Sequence, residues 1–167
     1  MSAGATEVVI LGIDPGTAIT GYGVVARAAG GSVRLIECGV IRTSAGEPLA
    51  QRIREIYDAI YQLVERHRPF AMSVEDVFMG KNVKSALKLG HARGAILLAA
   101  VHGDVAIAEY APRQIKKAVV GNGNASKDQV GFMVQQQLRL KEAPSPADAA
   151  DGVAAALCHS LMGSFPR

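Results

Sequence analysis

Apolar residues along the chain follow two rhythms: short β-branched runs at first, then helix-spaced positions from Pro48 onward. Val8–Ile13 is an unbroken apolar run that stops at Asp14-Pro15-Gly16, a combination that turns the chain. Ile19–Ala26 and Val33–Ile41 read as two more strands joined around Gly30-Gly31, and connections this short predict an antiparallel meander. Pro48 opens a helix reaching about Glu65, with Leu49, Ile53, Ile56, Ile60 and the Leu63-Val64 pair on one side. Phe70–Val74 is a buried-type strand ending at Glu75. After a loop containing Gly80, a helix is expected over roughly Val83–Val101. Its apolar side reads as Val83, Leu87, Gly90, Gly94, Leu97 and Val101, with Lys84, Lys88 and His91 together on another side.

Val105–Ala108 supplies a fifth strand, and Pro112 starts a short helix to Val120. Gly121-Asn122-Gly123-Asn124 is a loop, after which Ser126 and Gln129 form a capping box for the next helix. Ser145-Pro146-Ala147-Asp148 offers an N-cap serine, a proline at the first helical position and an acid in the first turn. A last helix runs from there to about Met162. The pattern predicts one α/β domain over residues 1–167, a strand meander followed by strands alternating with helices.

Composition narrows the class. Of 167 residues, 49% are hydrophobic, enough for a real core, and the net charge is +3. That charge is unevenly placed. Between Met79 and Lys127, eight basic residues face only Asp104 and Glu109, giving +6 and leaving −3 for the rest of the chain. A basic region beside an acidic remainder is the footprint of a nucleic-acid face. Cys38 and Cys158 are too few for a disulfide framework and read as small buried hydrophobes in a reducing compartment. With no signal segment and no apolar run long enough for a bilayer, the expected location is the cytoplasm.

Four acids stand out because their surroundings are apolar. Asp14 ends the first strand and Glu75 ends the fourth, while Asp148 and Asp151 sit in an Ala, Gly, Val and Leu segment. The last two, three residues apart, share one side of a helix. A carboxylate at the edge of a core is costly unless its charge is compensated. Singly, each acid has an ordinary explanation: a turn residue for Asp14, a helix-dipole acid for Asp148. Jointly, clustered hard oxygen donors suit Mg²⁺ or Mn²⁺, and two such ions can activate water against a phosphodiester. His159 lies eight residues past Asp151, too far along the helix to share its metal, so a surface or outer role is expected.

The ordered motifs resemble the RuvC family of Holliday-junction resolvases over nearly the whole chain. They are Gly12-Ile13-Asp14-Pro15-Gly16 with Thr20-Gly21-Tyr22-Gly23-Val24, Ile41-Arg42-Thr43, and Val74-Glu75-Asp76-Val77-Phe78-Met79. Then come Lys81-Asn82, Ser85–Gly90 with Ala92-Arg93-Gly94, Tyr110-Ala111, Val119-Val120-Gly121 and Ala147–Asp151. The resemblance implies a ribonuclease H-like fold, a five-stranded mixed sheet flanked by helices, working as a homodimer. It implies that Asp14, Glu75, Asp148 and Asp151 hold two Mg²⁺ or Mn²⁺ ions. The activity implied is paired symmetric nicking of a four-way DNA junction, leaving 5′-phosphate ends, in recombination and repair alongside a branch-migration complex. Asp76 and His91 stand where relatives commonly carry Gln.

Around that site, the resemblance associates Phe78 with base contacts, and Lys116 and Lys127 with DNA near the scissile phosphate. Lys84, Lys88, Arg113 and Lys117 are candidates for tracking phosphates, or are plain solvated charges, and Arg93 between two glycines reads as structural. Gly90 and Gly94 permit close approach of a partner helix or of an element of the same chain. Three rivals stand against the resolvase reading. A nucleotide-binding phosphotransferase shares the Gly12–Thr17 loop type but needs a second lobe. A non-catalytic junction-binding module would not need the acids. An RNA-processing nuclease of the same fold differs only in substrate.

Overall fold

The computed structural model describes residues 7–76 and 81–165. Strands β1 (Val8–Asp14), β2 (Ile19–Arg27) and β3 (Val33–Arg42) form the expected antiparallel meander. Helix α1 (Leu49–His67) leads to β4 (Ala71–Glu75), which pairs parallel with β1, and α2 (Val83–His102) leads to β5 (Ala106–Tyr110), parallel to β4. The sheet order is β3-β2-β1-β4-β5. Helices α3 (Pro112–Val120), α4 (Lys127–Gln137) and α5 (Ala147–Met162) complete the described chain. Among the described residues no helix is long and apolar enough to cross a membrane.

Alternation along β1 divides the core. Leu11 and Ile13 point to the face covered by α1 and α2, packing with Val24, Ile56, Ile60, Met72, Val74 and Ile96. Ile10 points to the opposite face, where α3, α4 and α5 contribute Ile115, Val119, Val130, Val134, Val153 and Leu157. Strand residues of equal parity share a face. Gly12 and Asp14 therefore lie on the α5 face with Ile10, and Ser73 and Glu75 lie there opposite Met72 and Val74. Ser73 confirms the parity by donating from Oγ to the Ala155 carbonyl of α5, 2.6 Å away.

Three expectations need correction. The buried side of α2 is an alanine stripe, Ala92, Ala95, Ile96, Ala99 and Ala100, whereas Val83, Leu87 and Val101 are 72%, 62% and 59% exposed. Small side chains let α2 lie close to its neighbours, and the larger apolar residues face outward. The Ser145 cap does not form: Pro146 occupies the N-cap of α5, with no side-chain hydrogen bond there. The fifth strand is displaced toward the C-terminus because Asp104, with φ of 54°, turns the chain and Val105 still bonds back to Ala100 of α2. The Ser126–Gln129 capping box forms as read.

Candidate active site

Asp14 and Glu75 arrive on neighbouring strands. Ile13 pairs with Val74 in the parallel register, so the next residue of each strand brings its carboxylate to the same sheet end. Helix α5 crosses this face at backbone distance. A Cβ placed on Gly12 would lie 2.2 Å from the Gly152 carbonyl oxygen, and one on Gly21 only 1.8 Å from that of Asp148. Only hydrogen fits at these positions, and the resulting approach sets Asp148 and Asp151 over the end of β1.

One carboxylate oxygen each from Asp14, Asp148 and Asp151 lies within 4.8 Å of the others. Glu75 is outside that triad, and its carboxylate lies near enough to act on Asp14. Burial pushes the Asp14 carboxyl up to about 9, and Glu75 and the charges of Asp151 and Asp148 push the same way. Burial also raises Asp151, against the lowering effect of Lys127. Without cations Asp14 thus keeps a proton that an ordinary carboxyl releases. A cluster of oxygen donors with no nitrogen or sulfur among them, in an open cleft and short of positive charge, fits hard divalent ions such as Mg²⁺ or Mn²⁺.

The cleft, about 180 Å³, is lined by Asp14, Glu75, Lys116, Lys127 and Asp151 together with Ile115 and Val130. Lys127 begins α4, directly after its Ser126 cap, and its Nζ stands 3.2 Å from Asp151 Oδ2. The Asp151 charge raises the Lys127 ammonium above its usual value. Of the basic residues singled out in the sequence, Lys116 and Lys127 come to the acids. Arg113 and Lys117 are exposed elsewhere on α3, and Lys84 and Lys88 are exposed on the first turns of α2. Phe78 lies outside the described residues.

Sequence reasoning missed Arg52. It is buried, donating from Nε to Thr43 Oγ1 and from Nη2 to the Thr17 carbonyl, while the Thr43 hydroxyl donates to that same carbonyl. This network fastens the loop after Asp14 to β3 and α1. The signal was present: Arg52 stands four residues before Ile56, inside the apolar stripe of its helix. Of the surface and outer roles expected for His159, the surface one does not hold. The residue is buried, and its Nδ1 shares a 2.8 Å hydrogen bond with the Tyr110 hydroxyl.

Comparison with known proteins is consistent across sequence and structure. Residues 10–159 match the family model described as Crossover junction endodeoxyribonuclease RuvC. A protein of that description from Pelotomaculum thermopropionicum is 47% identical over 158 residues, covering 95% of this chain and 96% of the relative. Another, from Tolumonas auensis, is 52% identical over 152 residues, covering 91% and 86%. Among solved structures, Thermus thermophilus RuvC in complex with Holliday junction substrate superposes with a TM-score of 0.87 at 40% identity, covering 92% of this chain and 93% of that one.

Proposed function

The chain belongs to the RuvC family of crossover junction endodeoxyribonucleases, and on that premise we propose that it resolves four-way DNA junctions by paired symmetric nicks. In this reading Asp14, Glu75, Asp148 and Asp151 hold two Mg²⁺ or Mn²⁺ ions in each active site of a homodimer. The observation that carries it is the meeting of three carboxylates within 4.8 Å at the end of β1, with Glu75 beside Asp14 on the neighbouring strand. Mutual repulsion and burial make this arrangement unfavourable by itself, and divalent cations relieve both.

When bound, the ions supply an activated water and stabilise the leaving oxygen of the phosphodiester. The side chains do the rest. Asp14 and Glu75, fixed by the β1–β4 register, and Asp148 and Asp151, fixed by α5, present rigid oxygens. Lys116 and Lys127 border the same cleft and attract the scissile phosphate. Lys127 pairs with Asp151, and a cation held by Asp151 would free its ammonium for DNA. Lys84, Lys88, Arg113 and Lys117 follow phosphates farther out, and Phe78 contacts bases near the cut. A branch-migration complex in the cytoplasm delivers the junction.

The dimer draws support from α2. Its outward side carries Val83, Leu87, Leu98 and Val101, at 72%, 62%, 49% and 59% exposure, around Gly90 and Gly94. Two symmetric cuts need two sites related by a two-fold axis, and a self-complementary helix face supplies one. The test is a panel of synthetic four-way junction, linear duplex and RNA–DNA hybrid with Mg²⁺, Mn²⁺ or EDTA. Paired nicks in the junction alone, abolished by EDTA, are expected. Preferential cutting of the hybrid would assign an RNA-processing role instead.

A further inference from the structure

Arg93 gathers two acids from the sheet edge beside the catalytic cleft. Its Nη2 lies 2.6 Å from Glu109 Oε1 on β5 and 3.3 Å from Asp76 Oδ1, the residue that directly follows Glu75. The side chain is 22% exposed, about half the value of either carboxylate partner. Its Nε is buried and has no hydrogen-bond partner among the described residues. An exposed ion pair of this kind contributes little. Here a long guanidinium lies largely under the surface, with one donor unpaired among the described residues, and such burial needs a reason.

The reason lies in what it joins. The β4–β5 ladder continues one step past Glu75, where the Asp76 amide donates to the Tyr110 carbonyl at 2.8 Å. Asp76 directly follows Glu75 at the end of β4, and its side chain is turned toward α2. Arg93 holds that side chain from α2 and is itself held by Glu109, whose register partner on β4 is Val74. One guanidinium therefore ties the end of β4, the adjoining strand and the following helix. We propose that Arg93 is a positioning residue for the reaction, fixing through Asp76 the Glu75 carboxylate that β4 delivers to the metal-holding acids.

This inference rests on Glu75 acting as one of those acids. Metal ligands must stand within about 0.2 Å of ideal distances, so a small rotation at the neighbouring residue is felt at the site. Supporting partners of this kind typically cost roughly 10–100-fold in metal affinity or activity when removed. A purely structural Arg93, one that only keeps α2 on β5, predicts a lower Tm and nothing else.

The experiment compares wild type with Arg93→Gln, Arg93→Lys, Asp76→Asn and Glu109→Gln. Junction cleavage is followed against Mn²⁺ concentration, and the rise in Tm that Mn²⁺ produces is measured without DNA. Arg93→Gln is expected to raise the Mn²⁺ needed for half-maximal cleavage by about 10-fold and to shrink the Mn²⁺-dependent Tm rise. Junction affinity in EDTA should be unchanged, and Arg93→Lys should recover part of the loss. Asp76→Asn should shift the Mn²⁺ requirement, and Glu109→Gln chiefly the metal-free Tm. These two variants decide the matter if Arg93→Gln does not fold. A wild-type Mn²⁺ dependence in both Arg93→Gln and Asp76→Asn overturns the proposal. If wild type cuts no junction, the nuclease reading fails, while the Mn²⁺-dependent Tm rise still reports on Arg93.

Discussion

Helices α2 and α5 are built from the same materials, mostly Ala, Gly, Leu and Val, yet they treat them in opposite ways. On α5, Ala149 through Ser160 is buried apart from Asp151, and its first turn brings Asp148 to Asp14 and Asp151. On α2, five residues are buried, and the larger apolar ones stand in solvent. The difference follows from their neighbours. Helix α5 lies over the middle of the sheet on glycines of β1 and β2 and is covered outside by α3 and α4. Helix α2 packs with α1 at the margin, and among the described residues nothing lies across its outer face. An apolar helix covered on all sides is a scaffold for chemistry, and one left half open is the face on which the proposed dimer would form.

The largest effect expected breaks that contrast with one charge. Val153→Asp puts an unpaired carboxylate at a fully buried α5 position facing Gly23, at a cost of several kcal/mol, and should unfold the chain in a thermal melt. Leu87→Asp on the exposed face of α2 should move monomer stability by no more than about 0.5 kcal/mol. It should instead convert the proposed dimer to monomer in sedimentation. Equal Tm losses for the two variants would erase the distinction between the helices.

A smaller effect comes from pH. The Asp14 carboxyl, raised to about 9, keeps its proton in the folded chain where the unfolded chain has lost it. Between the ordinary carboxylate range and that value the folded state binds more protons. Its stability is therefore fullest in acid and declines as pH rises, with a slope of at most about 1.4 kcal/mol per pH unit. Melts of metal-free protein at pH 5 to 8 should show Tm falling, and saturating Mn²⁺ or Asp14→Asn should flatten the trend. A rising Tm would contradict the protonated cluster. The mildest effect is electrostatic. If Lys84, Lys88, Arg113, Lys116, Lys117 and Lys127 make the six proposed phosphate contacts, log K should fall against log[salt] with a slope of roughly −5, and Lys84→Gln should lessen it by about 0.9.

Much of this contrast was legible beforehand, for identifiable reasons. Val8–Ile13 and Phe70–Val74 are apolar on both faces and end in acids, so strand ends and carboxylates were marked together. Equal parity along β1 and β4 then sends Asp14 and Glu75 to one face. Spacing likewise paired Asp148 with Asp151. The outer side of α2 was misread as core because periodicity reports that apolar residues share a side, not what covers them. The Arg93 link to Asp76 and Glu109 was hidden because it joins residues 17 and 16 positions away, across a strand register that sequence spacing does not reveal. Arg52 was hidden by its charge, although its place in the stripe was visible.

The central claim is that the four acids act as a cation-binding catalytic unit on a junction-binding surface. Asp14→Asn tests it most directly, because it removes one anionic oxygen ligand while preserving shape. Cleavage of a synthetic four-way junction in Mg²⁺ or Mn²⁺ should be abolished, and binding of the same junction in a gel shift should stay within about twofold of wild type, under about 0.5 kcal/mol. Retained cutting by Asp14→Asn would contradict the account.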